Sequence, residues 1–125
     1  MLKYALIIGT GGFIGSISRY LVSRLVQDNF HSNFPLGTFV VNISGCLLIG
    51  LIVGIAEKST WMSPEWRLFL MVGLCGGFTT FSTFAAENFS LMRDGQYFQV
   101  LLYTGFSVFF GFIAVFLGHM FTKLF

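Results

Sequence analysis

The chain has 125 residues, of which 55% are hydrophobic and 10% are charged, and its mean hydropathy is +0.82. A soluble domain carries charge on about a quarter of its residues, so this composition excludes a soluble globular protein and indicates an integral membrane protein. The net charge of +2 is small and spread along the chain, which argues against a nucleic-acid partner.

Four segments are long and apolar enough to cross a bilayer, which requires about 20 residues of helix each. The hydropathy pattern predicts spans over residues 4–26, 36–56, 66–92 and 97–121. The connections are short and contain Asn, Pro, Ser, Thr or Gly, which are typical of turns. We therefore predict an all-α fold in which residues 1–125 form a single four-span transmembrane domain.

The first two spans contain pairs of glycines four residues apart, a pattern that predicts close approach of helices. The pairs are Gly11 with Gly15, and Gly50 with Gly54. Two cysteines, Cys46 and Cys75, lie inside the second and third spans. Because no His or carboxylate shares their spacing, we interpret them as small apolar residues of the packing.

The second and fourth spans carry polar residues that share a helix face. Thr38 lies one turn before Asn42, and Tyr103 lies four residues before Ser107. An amide facing lipid is costly, so Asn42 is either an interhelical hydrogen-bonding group or a donor to an anion. The hydroxyls either bond their own helix backbone or form a ladder of donors, which Gly111, the next position, interrupts.

The third span contains the least lipid-like segment of the chain, residues 73–84, where paired glycines precede a run of hydroxyls. A transmembrane helix breaks only where it is buried in protein or lines a polar cavity. We predict that the helix breaks at residues 76–79, where freed carbonyl oxygens suit a small cation such as Na⁺. Phe81 and Phe84 share a face of the resumed helix, and their rings either pack or present positive edges to a small anion.

Lys and Arg are almost evenly divided between the two membrane sides. One side has four of these residues and the other has three: Lys3, Lys58, Arg67 and Lys123 against Arg19, Arg24 and Arg93. Topology normally follows an excess of these residues in the cytoplasmic loops. The balance favours insertion in both orientations, with an antiparallel dimer as one outcome, although seven charges do not decide it.

Three motifs resemble the small fluoride channels of the CrcB, or Fluc, family. They are the run Gly37-Thr38-Phe39-Val40-Val41-Asn42, the segment 73–84 with its core Gly-Gly-x-Thr-Thr-Phe-Ser-Thr-Phe, and Gly15 through Arg19-Tyr20. The likeness covers essentially the whole chain. It implies a channel, not an enzyme, in the inner (plasma) membrane that exports fluoride passively from the cytoplasm and confers fluoride resistance. It further implies an antiparallel homodimer with two pores and a structural Na⁺ at its centre, and no organic cofactor.

The resemblance also implies roles for individual residues. It assigns Phe81 and Phe84 to an aromatic box along the pores, and backbone carbonyls of Gly76 and Thr79 to Na⁺. The polar positions of the fluoride route are Asn42, Thr38, Tyr103 and Ser107. Arg19 and Glu87 are expected toward an aqueous vestibule or, alternatively, in an interhelical ion pair. Members of the family often have a serine where this chain has Gly111. The resemblance therefore does not assign a polar residue to the inner end of the route.

Two other classes of function fit a short four-span chain. A dual-topology small-molecule/proton antiporter would need a membrane-embedded carboxylate in the first span, and this span has none. A non-transporting assembly or lipid-contact protein would account for the glycines and phenylalanines, but it would leave the face with Thr38 and Asn42 without a role.

Overall fold

The computed structural model describes residues 1–125 and contains helices but no strands. Helix α1 runs over Leu2–Asn29, α2 over Leu36–Lys58 and α6 over Tyr97–Phe121, and a 3₁₀ turn over Thr122–Leu124 ends the chain. Between α2 and α6, the third span covers Pro64–Arg93. The predicted all-α, four-span architecture is confirmed, and the molecule is a multi-pass membrane protein.

The third span is assembled from several helical pieces. It begins with α3 (Pro64–Arg67), capped by the Ser63 side chain, and continues as a π-helical stretch over Leu68–Cys75. A short α4 (Gly76–Phe78) follows, and α5 (Phe81–Arg93) completes the crossing. The predicted break is present, but it lies at Thr79 and Thr80, because residues 76–78 of the predicted range 76–79 are still helical. The π-helical stretch before it was not predicted. Widened turns of this kind are frequent near functional sites.

Glycines bring the helix backbones into contact, as the sequence predicts. A Cβ on Gly11 would lie 2.5 Å from the Phe69 carbonyl oxygen, so α1 crosses the third span with no room for a side chain. A Cβ on Gly50 of α2 would likewise clash with the Val115 carbonyl oxygen of α6, and one on Gly54 would clash with the Thr122 side chain. These close crossings hold α1 to the third span and α2 to α6.

Charged side chains lie at the two ends of the bundle. At the end where the chain begins, Lys3 pairs with Glu65 at 3.5 Å, and His119 lies 2.7 Å from Glu57. At the opposite end, Arg24 and Asp28 are 3.6 Å apart. The middle of the bundle is therefore left to apolar residues and to the few polar side chains singled out from the sequence.

Candidate functional site

The centre of the site is the point where the third span leaves the helical conformation. Thr79 and Thr80 both adopt extended backbone angles, with ψ values of 158° and 122°. The Thr80 side chain then accepts a hydrogen bond from the Thr83 N–H at 3.2 Å and caps α5. Threonine is a favoured N-cap residue, so the residue that ends the break also starts the next helix.

Asn42 of α2 holds the break through both polar groups of its side chain. Its Oδ1 accepts the Thr80 N–H at 2.9 Å, and its Nδ2 donates to the Thr80 carbonyl at 3.1 Å. A buried backbone N–H and C=O without partners would each carry a desolvation penalty. The amide supplies both partners from one side chain. Asn42 is therefore an interhelical hydrogen-bonding group. These two bonds use one of the two Nδ2 hydrogens, and the other is left for a second acceptor.

The carbonyls of residues 76–79, beside the break, lack their usual helical donors, and they include the two predicted cation ligands, Gly76 and Thr79. In a continuous helix, the Gly76 carbonyl would accept the Thr80 N–H, which bonds Asn42 instead. The Thr79 carbonyl would accept the Thr83 N–H, which bonds the Thr80 hydroxyl instead. The Thr79 hydroxyl is not available as a ligand in their place, because it donates back to the Cys75 carbonyl at 2.9 Å.

A groove of about 420 Å³, the central groove, runs along the break between α2, the third span and α6. It collects most of the residues predicted for the site from three different spans. The lining residues that the sequence singled out are Asn42, Gly76, Thr79, Phe81, Phe84 and Ser107. Both cysteines line it as well, and both are free thiols, as expected.

The two predicted aromatic residues have different surroundings. Their ring centroids are 5.8 Å apart and the rings are inclined by 45°. The Phe84 ring also lies 4.8 Å from that of Tyr103, whereas Phe81 is 79% exposed in the single chain. Phe84 is thus held by its own chain, and Phe81 projects from it.

Ser107 lines the central groove, and its hydroxyl has no hydrogen-bond partner in the single chain. Its Oγ is buried, and most buried hydroxyls have such a partner. Serine hydroxyls in membrane helices commonly donate to a carbonyl of their own helix, and the Ser107 hydroxyl does not. The Gly111 position, one turn further along α6, lies beside Cys46, whose sulfur would be 3.5 Å from a Cβ there.

Thr38 and Tyr103 converge on Glu87 and do not line the central groove. The Thr38 hydroxyl donates to one carboxyl oxygen of Glu87 at 2.5 Å, and the Tyr103 hydroxyl donates to the other at 3.2 Å. The alternative ion pair between Arg19 and Glu87 is not formed. This carboxyl group accepts hydrogen bonds from hydroxyls of two other helices. Spacing along the sequence did not identify it as the partner of these hydroxyls.

Arg19 lines a second cavity of about 300 Å³. The remaining lining includes Arg24 and hydroxyl side chains from three helices: Ser23, Thr38, Thr80 and Thr83. Thr80 borders both cavities. Its role was not predicted, although threonine is among the residues favoured at a helix N-cap.

The fold and the site define a class of protein: a four-span membrane protein with a broken third helix whose break lines a partly polar groove. Residues 6–119 match the family described as "CrcB-like protein, Camphor Resistance (CrcB)". The chain belongs to this family, as the resemblance of its motifs implied.

Curated relatives support the same assignment over the full length of the chain. A protein of Azobacteroides pseudotrichonymphae is 44% identical over 125 residues and covers 100% of both chains. One from Chlorobium phaeobacteroides (strain DSM 266) is 48% identical over 95% of this chain and 92% of its own. One from Flavobacterium psychrophilum is 43% identical over 98% of both. All three are named fluoride-specific ion channel FluC.

Proposed function

We propose that the protein is a fluoride-selective ion channel of the plasma membrane that lets fluoride leave the cytoplasm passively. The observation that carries this proposal is the central groove, where Asn42, Phe81, Phe84 and the uncommitted hydroxyl of Ser107 meet beside the helix break. The names of the relatives specify the ion.

The lining of the groove suits a small anion that must both enter and leave. A fixed positive charge would hold fluoride strongly, whereas amide and hydroxyl donors and the positive edges of aromatic rings offer weaker, replaceable contacts. No Lys or Arg lines the central groove, and Arg19 and Arg24 line the second cavity. These two arginines would there raise the local anion concentration at one mouth of the route.

The working unit in this proposal is an antiparallel homodimer with two pores. Irregular backbone at membrane depth must be covered by protein or line a cavity, yet Gly76 at the break is exposed in the single chain. Phe81 beside it is 79% exposed. A second copy laid against this face would cover both residues and close the groove into a route.

The dimer centre would hold a structural Na⁺, bound by the Gly76 and Thr79 carbonyls of both copies. These two carbonyls fit such an ion because their helical donors are engaged elsewhere, by Asn42 and by the Thr80 hydroxyl. Carbonyl oxygens released at a helix break are suitable ligands for Na⁺. The ion would cross-link the two breaks and neutralise the dipoles of the carbonyls that face each other.

An efflux assay on reconstituted protein tests the channel. Liposomes loaded with potassium fluoride and treated with valinomycin should release fluoride rapidly, at a rate that an imposed pH gradient does not change, and chloride-loaded liposomes should not release chloride. Proton-coupled fluoride movement would instead indicate an antiporter. Absence of flux from folded protein would favour a non-transporting membrane protein.

A further inference from the structure

The N–H of Thr80 has two alternative acceptors, one in a continuous helix and one in the broken span. A continuous helix would give this N–H to the Gly76 carbonyl, and the observed structure gives it to Asn42 Oδ1 at 2.9 Å. The Thr83 N–H has an equivalent choice between the Thr79 carbonyl and the Thr80 hydroxyl, which accepts it at 3.2 Å. In both cases, a side-chain oxygen accepts the hydrogen bond that a backbone carbonyl would accept in a continuous helix.

We infer that Asn42 and Thr80 are positioning residues of the cation site, because they keep the Gly76 and Thr79 carbonyls free for an ion that neither side chain touches. The inference rests on the Na⁺ site of the proposed function. Without the Asn42 amide, the Thr80 N–H returns to the Gly76 carbonyl and blocks it. Without the Thr80 hydroxyl, the Thr83 N–H becomes available to the Thr79 carbonyl.

The packing around Asn42 supports this role. The second hydrogen bond of the amide, from Nδ2 to the Thr80 carbonyl at 3.1 Å, fixes the orientation of the same peptide segment. One turn along α2, Gly45 leaves room for the Thr79 side chain, because a Cβ on Gly45 would clash with the Thr79 Cγ2 and lie 3.2 Å from the Phe78 ring. The face of α2 that carries Asn42 and Gly45 thus holds the extended segment and couples α2 to the cation site.

The test measures Na⁺ binding through thermal unfolding of the purified full-length protein in detergent. Na⁺ is titrated against N-methylglucamine at constant ionic strength, and the concentration that gives half of the Na⁺-dependent rise in Tm is recorded. Asn42→Ala and Thr80→Ala should raise this Na⁺ midpoint about tenfold, the scale of one lost hydrogen bond in a binding equilibrium. Thr80→Ser retains a hydroxyl and should restore the midpoint of the unchanged protein.

Ser44→Ala is the matched control, since its hydroxyl bonds only its own helix, at the Val40 and Val41 carbonyls. This variant should keep the midpoint, whatever its effect on Tm itself. If Asn42→Ala does not fold, Thr80→Ala with its serine rescue carries the same test. An unchanged Na⁺ midpoint in a folded variant overturns the role of that residue.

The same titration separates failure of the inference from failure of the proposed function. A Tm of the unchanged protein that does not respond to Na⁺ would remove the cation site and the inference together. A Na⁺-dependent Tm with unaltered midpoints in both alanine variants would remove only the positioning role. Fluoride efflux from the unchanged protein reports separately on the channel.

Discussion

Phe81 and Phe84 show how the same residue type takes different roles three positions apart. Phe84 packs on Tyr103, with the ring centroids 4.8 Å apart, so its replacement disturbs the chain's own packing. Phe81 is 79% exposed and its only aromatic neighbour within the chain is Phe84. Phe81 therefore gives the cleaner separation between a role in ion passage and a role in folding.

We expect Phe81→Ile to slow fluoride efflux while the folded chain keeps its stability. Isoleucine preserves apolar bulk but lacks the positive ring edge. If one edge contact contributes about 1.4 kcal/mol at the barrier, the rate falls about tenfold. The measurement is initial efflux from liposomes, together with the Tm of the purified protein.

Phe112→Ile is the matched control for this experiment. Phe112 is 76% exposed on α6 and does not line the central groove. Its replacement should leave both efflux and Tm unchanged. Equal efflux from the Phe81 and Phe112 variants would assign Phe81 to packing.

The residues of the groove could be predicted from the sequence better than their partners could. Asn42 was singled out because an amide is costly in lipid, and its need for a partner was clear. Its partner is the backbone of Thr80, 38 positions away, which spacing along one helix cannot identify. For the same reason, the convergence of Thr38 and Tyr103 on Glu87 became visible only when three helices were placed together.

At the scale of elements, glycines decide which helices touch. Gly15 of α1 packs directly against the third span. A Cβ at this position would clash with the Leu74 carbonyl oxygen and lie 2.9 Å from the Phe78 nitrogen. The contact reaches the last helical residues before the break, so α1 supports the segment whose other side Asn42 holds. Gly9 is in the same helix, and a Cβ there would meet nothing within 4 Å.

We therefore expect Gly15→Ala and Gly9→Ala to change stability in opposite directions. Alanine at position 15 forces α1 away from the third span, and overpacking of this kind costs about 1–3 kcal/mol. Alanine at position 9 reduces backbone freedom without a clash, which favours a helix by up to about 1 kcal/mol. Reversible unfolding in mixed detergents measures both. Equal effects of the two substitutions would contradict a backbone contact at Gly15.

The spans were predictable within a few residues because hydropathy and turn residues mark them directly. The π-helical stretch Leu68–Cys75 was not, since its residues are uniformly apolar and carry no periodic pattern that distinguishes a wider turn from an α-helix. The break itself was predictable because lipid disfavours paired glycines and hydroxyls in a span unless protein or a polar cavity faces them.

At the scale of the whole molecule, one copy leaves the face of the break uncovered. Gly76 and Phe81 are exposed on it, and the central groove is open along its side. An inverted second copy requires that the chain be inserted both ways, and the four-against-three division of Lys and Arg supplies the necessary lack of bias. Charge balance and the uncovered break thus both support the antiparallel homodimer that we propose.

Changing the distribution of Lys and Arg should give two variants that insert in opposite orientations and function only together. Lys3→Gln, Lys58→Gln and Lys123→Gln together leave one Lys or Arg at their end of the bundle against three at the other, and Arg24→Gln with Arg93→Gln leaves four against one. Each variant should insert mainly one way, because the remaining Lys and Arg then lie mostly at a single end. Each should give a fluoride-sensitive bacterial strain little resistance, which growth at increasing fluoride concentration measures.

Co-expression of the two variants should restore resistance, because each supplies the orientation that the other lacks. Loss of folding does not explain the defect of each variant alone, since all five substituted side chains are exposed. The ion pairs that they remove, Lys3 with Glu65 and Arg24 with Asp28, lie at the surface and contribute little to stability. Full resistance from either variant alone, with its orientation shown to be uniform by cysteine labelling, would contradict the antiparallel dimer.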